Sequence, residues 1–295
     1  MAITIACNNA EIVTLDEFID YVHTHVDLQD LDSVAAAAPK FRSLANDRAL
    51  VVRHLNRQVK ENFRSQVIPS AQALFLGDGR DFYVRANIWP SNADLASGRV
   101  YQDQFSYNLA HDHNYSFMTV GYHGPGYITE VYEYDFDKIV GNAGEAVDLR
   151  FVERIHFTTG MVMLYRASKD VHTQFPPDDL GITLNFMVAT PEVRVRDQFF
   201  FDVEKKTLLD YPTELDSSRR ISVLKIAGQV GDGNTQDLLD AIGSSHPCRR
   251  TRIAACESLS QLNPATAARV WERAAADPER LVANTARQRL ASLSA

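Results

Sequence analysis

The sequence predicts a mainly β core of jelly-roll type, a sandwich or double-stranded barrel, between an N-terminal helical region and a C-terminal helical extension. Three observations predict it. Apolar residues recur at helical spacing from about Thr14 to Ser70. From Ala73 the chain turns to β-branched and aromatic runs broken by glycine and proline. After about Asp216 those runs stop and a 31-residue repeat begins. Expected divisions are therefore 1–72, 73–212 and 213–295.

In the first division Leu15, Phe18, Ile19 and Val22 form a stripe behind a Thr14 cap and an acidic first turn, Asp16-Glu17. A second stripe, Leu50, Val51, His54, Leu55 and Val59, lies within a helical reading of Arg48 to Val67. His23, His25 and His54 read there as packing or surface residues. The pattern leaves open whether this region caps the mouth of the β core.

The middle division offers candidate strands at Ala73–Leu76, Phe82–Arg85, Gln104–Leu109, Ser116–Tyr122, Tyr127–Tyr134, Leu149–Phe157, Met161–Arg166, Ile182–Val188 and Phe199–Val203. Gly124-Pro125-Gly126, Gly141-Asn142-Ala143-Gly144 and Pro176-Pro177-Asp178-Asp179 punctuate them. Short strands with frequent turns argue for a jelly roll, which encloses a cavity. In the last division, His246-Pro247-Cys248-Arg249-Arg250 leading to Ala255, Leu259 and Leu262 matches Asp277-Pro278-Glu279-Arg280-Leu281 leading to Ala286, Leu290 and Leu293. Ser218-Arg219-Arg220-Ile221 reads as a worn third copy, and the whole as a short HEAT-like array suited to a homodimer or protein contact.

With 295 residues, 45% of them hydrophobic, the chain can bury a sizeable core. A net charge of −8 argues against a nucleic-acid partner, since no cationic excess exists to neutralise phosphates. No apolar run is long enough to span a bilayer, and the N-terminus lacks the basic start and apolar stretch of a secretory signal, so no membrane partner and a cytoplasmic location are expected. Cys7, Cys248 and Cys256 are odd in number and lie in no C-x-x-C pattern, which suggests neither a disulfide framework nor a thiolate zinc site.

The chemistry concentrates in Ala110-His111-Asp112-His113-Asn114-Tyr115. Residues two apart on a strand share a face, so His111 and His113 point the same way and Asp112 the other, where it supports rather than ligates. His172, in the β-like run Asp170-Val171-His172, supplies a third imidazole. Three neutral imidazoles can hold Fe(II) on one face and leave neighbouring positions for a substrate and O2. Without a carboxylate ligand the ion keeps its double charge, which favours an anionic substrate. Arg85 is placed to fix a carboxylate through a bidentate fork. Tyr107, Tyr115, Tyr127, Tyr132 and Tyr134 crowd the same region; Tyr115, two residues past His113, is the catalytic candidate among them. Glu130 is the residue best placed to complete a two-histidine, one-carboxylate variant. His123 and His156 read as turn or packing histidines.

The run His111-Asp112-His113, the turn through Val120-Gly121-Tyr122-His123-Gly124-Pro125-Gly126, then Gly160 and His172, resembles the two-motif pattern of the cupin superfamily over roughly residues 73–190, and Asn185 falls in the strand that follows. Cupins usually carry a glutamate four or five residues after the second histidine, where Phe117 and Met118 stand here. The cysteine dioxygenase-like branch lacks that glutamate and is similar in its His-Asp-His strand and distant third histidine. That resemblance implies a carboxylate-gripping arginine in a Tyr-x-Arg strand, matched by Tyr83-Val84-Arg85, 26 residues before His111. Met118 occupies the place of that branch's cross-linked cysteine, so no thioether cofactor is expected.

The expected function is a mononuclear non-haem Fe(II)-dependent oxygenase acting with O2 on a small carboxylate-bearing molecule, an amino acid or thiol. His111, His113 and His172 would be the ligands, with Arg85 and Tyr115 as catalytic residues. Two other readings stay open: a non-oxidative metal enzyme such as an isomerase or lyase, and a binding protein that works through its helical repeats.

Overall fold

The computed structural model describes residues 2–61, 71–209 and 216–293. The expected helical stretch beyond residue 61, as far as 70, and the expected boundary at 212–213 lie outside those residues. Two compact units emerge. The first comprises Met1–Phe136, Ala146–Thr190 and Gln198–Thr207; the second comprises Asp137–Glu145, Pro191–Asp197 and Leu208–Ala295.

The strands are β1 (Ile3–Ile5), β2 (Ala73–Gly79), β3 (Phe82–Trp89), β4 (Ala110–His111), β5 (Phe117–His123), β6 (Tyr127–Glu133), β7 (Arg150–Phe157), β8 (Val162–Tyr165), β9 (Asp170–Phe175), β10 (Gly181–Val188), β11 (Phe200–Asp202) and β12 (Thr207–Leu208). The helices of the first unit are α1 (Leu15–His25), α2 (Leu31–Ala36), α3 (Ala38–Asn46), α4 (Leu50–Lys60) and α5 (Asn92–Ala96). Two antiparallel sheets of six strands result, ordered β1-β8-β5-β10-β3-β2 and β12-β11-β4-β9-β6-β7. Two such sheets agree with the expected jelly roll in its sandwich form; among the described residues no strand is shared between them, so the barrel is not closed. Their inner faces are held apart by bulky rings instead, as where Trp89 of the first sheet meets Tyr127 of the second at 4.7 Å between centroids.

The first sheet is buried on both faces, which explains its long apolar strands. Alternate residues Val84, Val120, Leu164, Leu184 and Phe186 join a core with Phe18, Phe41 and Leu44 of α1 and α3. The intervening Phe117, Met163, Tyr165 and Met187 join a second core with Val131 and Phe157 of the opposite sheet. The N-terminal helices therefore lie as a layer on the outer face of the first sheet. Met118, fully buried, belongs to that helical side. α1 starts where the sequence predicts: the Glu17 amide donates to Thr14 Oγ1 at 3.2 Å, and the Thr14 amide donates to Glu17 Oε2 at 2.7 Å.

Gln104–Leu109 departs from its expected strand. A 3₁₀ turn at Gln102–Gln104 opens it, Asn108 adopts the left-handed conformation (φ 57°), and only Tyr107 bridges to Gln174. The turn between β5 and β6 does need its glycines. Gly124 and Gly126 have φ of 85° and 86°, and a Cβ on either would meet a backbone oxygen at 2.1 Å. β1 went unread in the sequence, because a three-residue strand gives too short an alternation to notice; it pairs with β8.

The second unit holds α6 (Asp216–Val230), α7 (Gly233–Ser245), α8 (Arg249–Leu262), α9 (Ala267–Ala274) and α10 (Arg280–Leu293). α8 and α10 are each 14 residues long and open 31 positions apart, at Arg249 and Arg280. Leu224, Leu239, Leu259, Trp271 and Val282, one from each helix, share its core. Asp197, 3% exposed, accepts ion pairs from both Arg249 and Arg250. Phe41, fully buried between α1 and β10, is the most direct test of the helical layer. Phe41→Ala is expected to cost about 3–5 kcal/mol in urea unfolding; a loss below about 1 kcal/mol would contradict this packing.

Candidate metal centre

Three chain segments bring the histidines together. β4 pairs antiparallel with β9 so that His111 stands directly opposite His172. His113, two residues on, returns to the same face. His172 Nε2 lies 3.1 Å from His111 Nε2 and 3.1 Å from His113 Nε2, and the ligand atoms of all three fall within 4.8 Å of one another. Two imidazole nitrogens bound ~2.1 Å from one ion at right angles would lie about 3.0 Å apart, so the spacing fits a shared ion.

The protonation pattern fits as well. His111 Nδ1 donates to the Leu109 carbonyl at 2.8 Å, which leaves Nε2 with a free lone pair in the neutral ring. Burial pushes the His111 pKa down, helped by the nearby Arg85 charge. His113 and His172 lie well below the ordinary histidine range, again chiefly through burial and then through their neighbouring imidazoles. Three neutral imidazoles sharing one point, those of His111 and His172 buried and that of His113 half-buried, have the donor chemistry of a metal site. The Gln198 side chain hydrogen-bonds His113, while Nδ1 of His172 has no protein hydrogen-bond partner.

Asp112 points to the other face, as strand alternation requires. It is fully buried; Oδ2 accepts from the Tyr134 hydroxyl at 2.6 Å and Oδ1 from the Phe199 amide at 2.6 Å. Its own amide donates to the Phe199 carbonyl at 3.2 Å, which binds the His-Asp-His segment to the chain entering β11. Glu130 is not brought to the centre. Its neighbour Val131 is the register partner of His172, so Glu130 faces away, where it pairs with Arg154 and accepts from the Tyr132 hydroxyl at 2.9 Å. Among the described residues the cluster consists of the three histidines alone. His123 and His156 are exposed.

Across from the imidazoles the first sheet presents Arg85 into a cavity of about 60 Å³ that His111, His113 and His172 also line. Arg85 Nε is buried without a protein partner. Tyr115 lies behind His113, its ring stacked on the imidazole at 4.8 Å, and its hydroxyl hydrogen-bonds the Arg85 side chain. Burial raises the Tyr115 pKa, so its hydroxyl stays protonated. Tyr127 lines the cavity, whereas Tyr107 turns its hydroxyl to the Pro90 carbonyl at 2.8 Å.

Sequence reasoning did not name wall residues such as Asn87, Thr119, Tyr165 and Gln174, and it noted Asn185 only as lying in the strand after the second motif. Tyr165 packs edge-on against His172 at 4.5 Å. The available signal was a polar side chain at the core-facing parity of an apolar strand, such as Asn185 within Leu184-Asn185-Phe186-Met187.

No protein-family model and no curated protein matches the chain. Solved structures similar to part of it include a DMSP lyase (10% identity, 43% of this chain and 50% of that chain, TM-score 0.27). A mutant salicylate 1,2-dioxygenase from Pseudoaminobacter salicylatoxidans shows 10% identity over 47% of this chain and 33% of its own, TM-score 0.27. Procruciferin, an 11S globulin from Brassica napus, shows 7% identity over 43% and 28%, TM-score 0.25. The chain thus spans half of the lyase chain and a third of the dioxygenase chain. Likeness this slight assigns neither a family nor an activity.

In the metal-free protein the three depressed imidazoles make stability depend on pH. The unfolded chain takes up protons near pH ~6.5, above the folded-state values, so their stabilising contribution is complete above that pH and is lost as pH falls. Melting temperature is expected to drop between pH 7.5 and 5.5, less steeply in His172→Gln; identical slopes would contradict the assignment.

Proposed function

We propose that the chain is a mononuclear non-haem Fe(II)-dependent oxygenase of the cupin kind, acting with O2 on a small carboxylate-bearing molecule, an amino acid or thiol. His111, His113 and His172 hold the ion in this reading. The observation that carries it is the convergence of three neutral Nε2 atoms, 3.1 Å apart along two of their separations, on a cavity that Arg85 enters from the opposite sheet. Bound Fe(II) would supply redox chemistry and open coordination positions.

The chain's own residues do the rest. Arg85 offers a fixed cation to the substrate carboxylate, and its unpartnered Nε leaves donor capacity for it. Tyr115 holds both ends of that arrangement, stacking on His113 and hydrogen-bonding Arg85. Tyr165 and Phe117, packed against His172 at 4.5 and 5.8 Å, keep bulk water from the imidazoles. The reading also takes the C-terminal helices as a short HEAT-like array for contact with a second copy or another protein; Val223, Ile226 and Val230, exposed on α6, support that.

Oxygen uptake by Fe(II)-loaded protein with a panel of thiols and amino acids tests the oxygenase reading. Uptake is expected with Fe(II) and not with Zn(II), and Arg85→Gln is expected to raise KM at least about tenfold, the worth of a charge-assisted hydrogen bond, with a smaller change in kcat. Turnover without O2 on a redox-silent metal would replace the oxygenase by an isomerase or lyase. Unchanged function in the histidine variants would shift the working surface to the helices.

A further inference from the structure

One band of the first sheet's inner face is polar where its surroundings are apolar. Register sets Arg85 on β3 beside Asn185 on β10, and Asn185 beside Thr119 on β5. The three stand in one row, about 4.8 Å from strand to strand. The next row on one side, Met187 and Phe117, is apolar core. Asn185 is 2% exposed, and its Oδ1 has no protein partner. Asn87 and Gln174, 6% and 4% exposed, line the same cavity with their side-chain oxygens equally unpaired.

A buried carboxamide without a partner is costlier than an apolar residue of similar size, so three around one cavity need a reason. A bound molecule with a donor supplies one. The walls limit what that donor is, because among the described residues no Asp or Glu lines the cavity while Arg85 does. An ammonium group would sit beside a guanidinium with no counter-charge. A hydroxyl offers the same donor without charge. Space sets the size: at ~10–15 Å³ per water-sized occupant, a cavity of about 60 Å³ takes roughly four to six non-hydrogen atoms.

We propose that the substrate is a short-chain carboxylic acid bearing a neutral hydroxyl next to its carboxylate, and that Asn185 is the specificity-determining residue that accepts the hydroxyl's hydrogen bond. This keeps the small carboxylate-bearing substrate of the proposed site but puts a hydroxy acid in place of the amino acid or thiol, and it rests on that reading for Arg85 as the carboxylate anchor.

Propionate, lactate and alanine differ only in carrying hydrogen, hydroxyl or ammonium at one carbon, and they serve as probes. They are titrated calorimetrically into the purified chain, with metal content measured on the same samples. Lactate is expected to bind at least about tenfold more tightly than propionate, and alanine more weakly than either. Asn185→Leu should erase the lactate preference while propionate affinity and metal content hold. Asn185→Asp, which supplies the missing counter-charge, should make alanine the tightest of the three. Equal binding of lactate and propionate, tightest binding of alanine by the natural chain, a lactate preference that survives Asn185→Leu, or binding of none of the three would each overturn the proposal. A lactate preference that depends on Asn185 in protein without stoichiometric metal would fail the metal reading alone; full metal content without that preference would fail this proposal alone.

Discussion

The register of β4 against β9 is the constraint on which the centre depends. Side chains alternate faces with a period of two, so a one-residue slip would carry His111 and His113 to the outside of the second sheet and Asp112 into the cavity. β4 has only two residues in strand conformation and cannot hold its register through ladder hydrogen bonds alone. Asp112 supplies the missing constraint. Its carboxylate is fully buried and takes hydrogen bonds from the Tyr134 hydroxyl and the Phe199 amide, and a slip would break both. The acidic residue between two candidate ligands thus orients them without touching the ion they would share.

The two sheets divide the chemistry. The second carries the imidazoles, and the first carries Arg85 and the polar row beside it. What fixes their separation is the aromatic packing around the cavity, including Trp89 on Tyr127 and Tyr165 on His172 at 4.7 and 4.5 Å. The helical layer stiffens the first sheet from behind, so Arg85 projects from a strand buried on both sides rather than from a loop. Sites placed on packed strands hold geometry better than sites on mobile segments. The electrostatics follow from the same burial. It keeps the imidazoles neutral, as metal ligands must be, and among the described residues leaves Arg85 as the only formal charge on the cavity wall.

Much of this was legible because it rests on local rules. Strand parity alone places His111 and His113 on one face and Asp112 on the other. The Thr14 cap with Glu17 three residues on marks the start of α1 to the residue. The 31-residue offset in the last third survives as two equal helices. Other features were hidden for physical reasons. Sheet closure depends on which edges pair, and edge pairing leaves no local trace, so the sequence pattern leaves sandwich and barrel both open, and the described residues form two sheets without a shared strand. Asn108 breaks the Gln104–Leu109 strand through a left-handed backbone that asparagine tolerates but does not announce. In β5 and β10 both faces are buried, so the alternation that would separate Asn185 and Thr119 from their neighbours is masked by apolar residues on either side. Glu130 looked available because strand parity cannot be compared between strands until their register is known.

X-ray absorption spectroscopy of the Fe(II)-loaded protein tests the shared-ion geometry most directly. Three imidazole nitrogens at ~2.0–2.1 Å are expected in the first shell, falling to two in His172→Ala with the fold retained by circular dichroism. A first shell of oxygen or sulfur without imidazole scattering, or a shell unchanged by His172→Ala, would contradict the account.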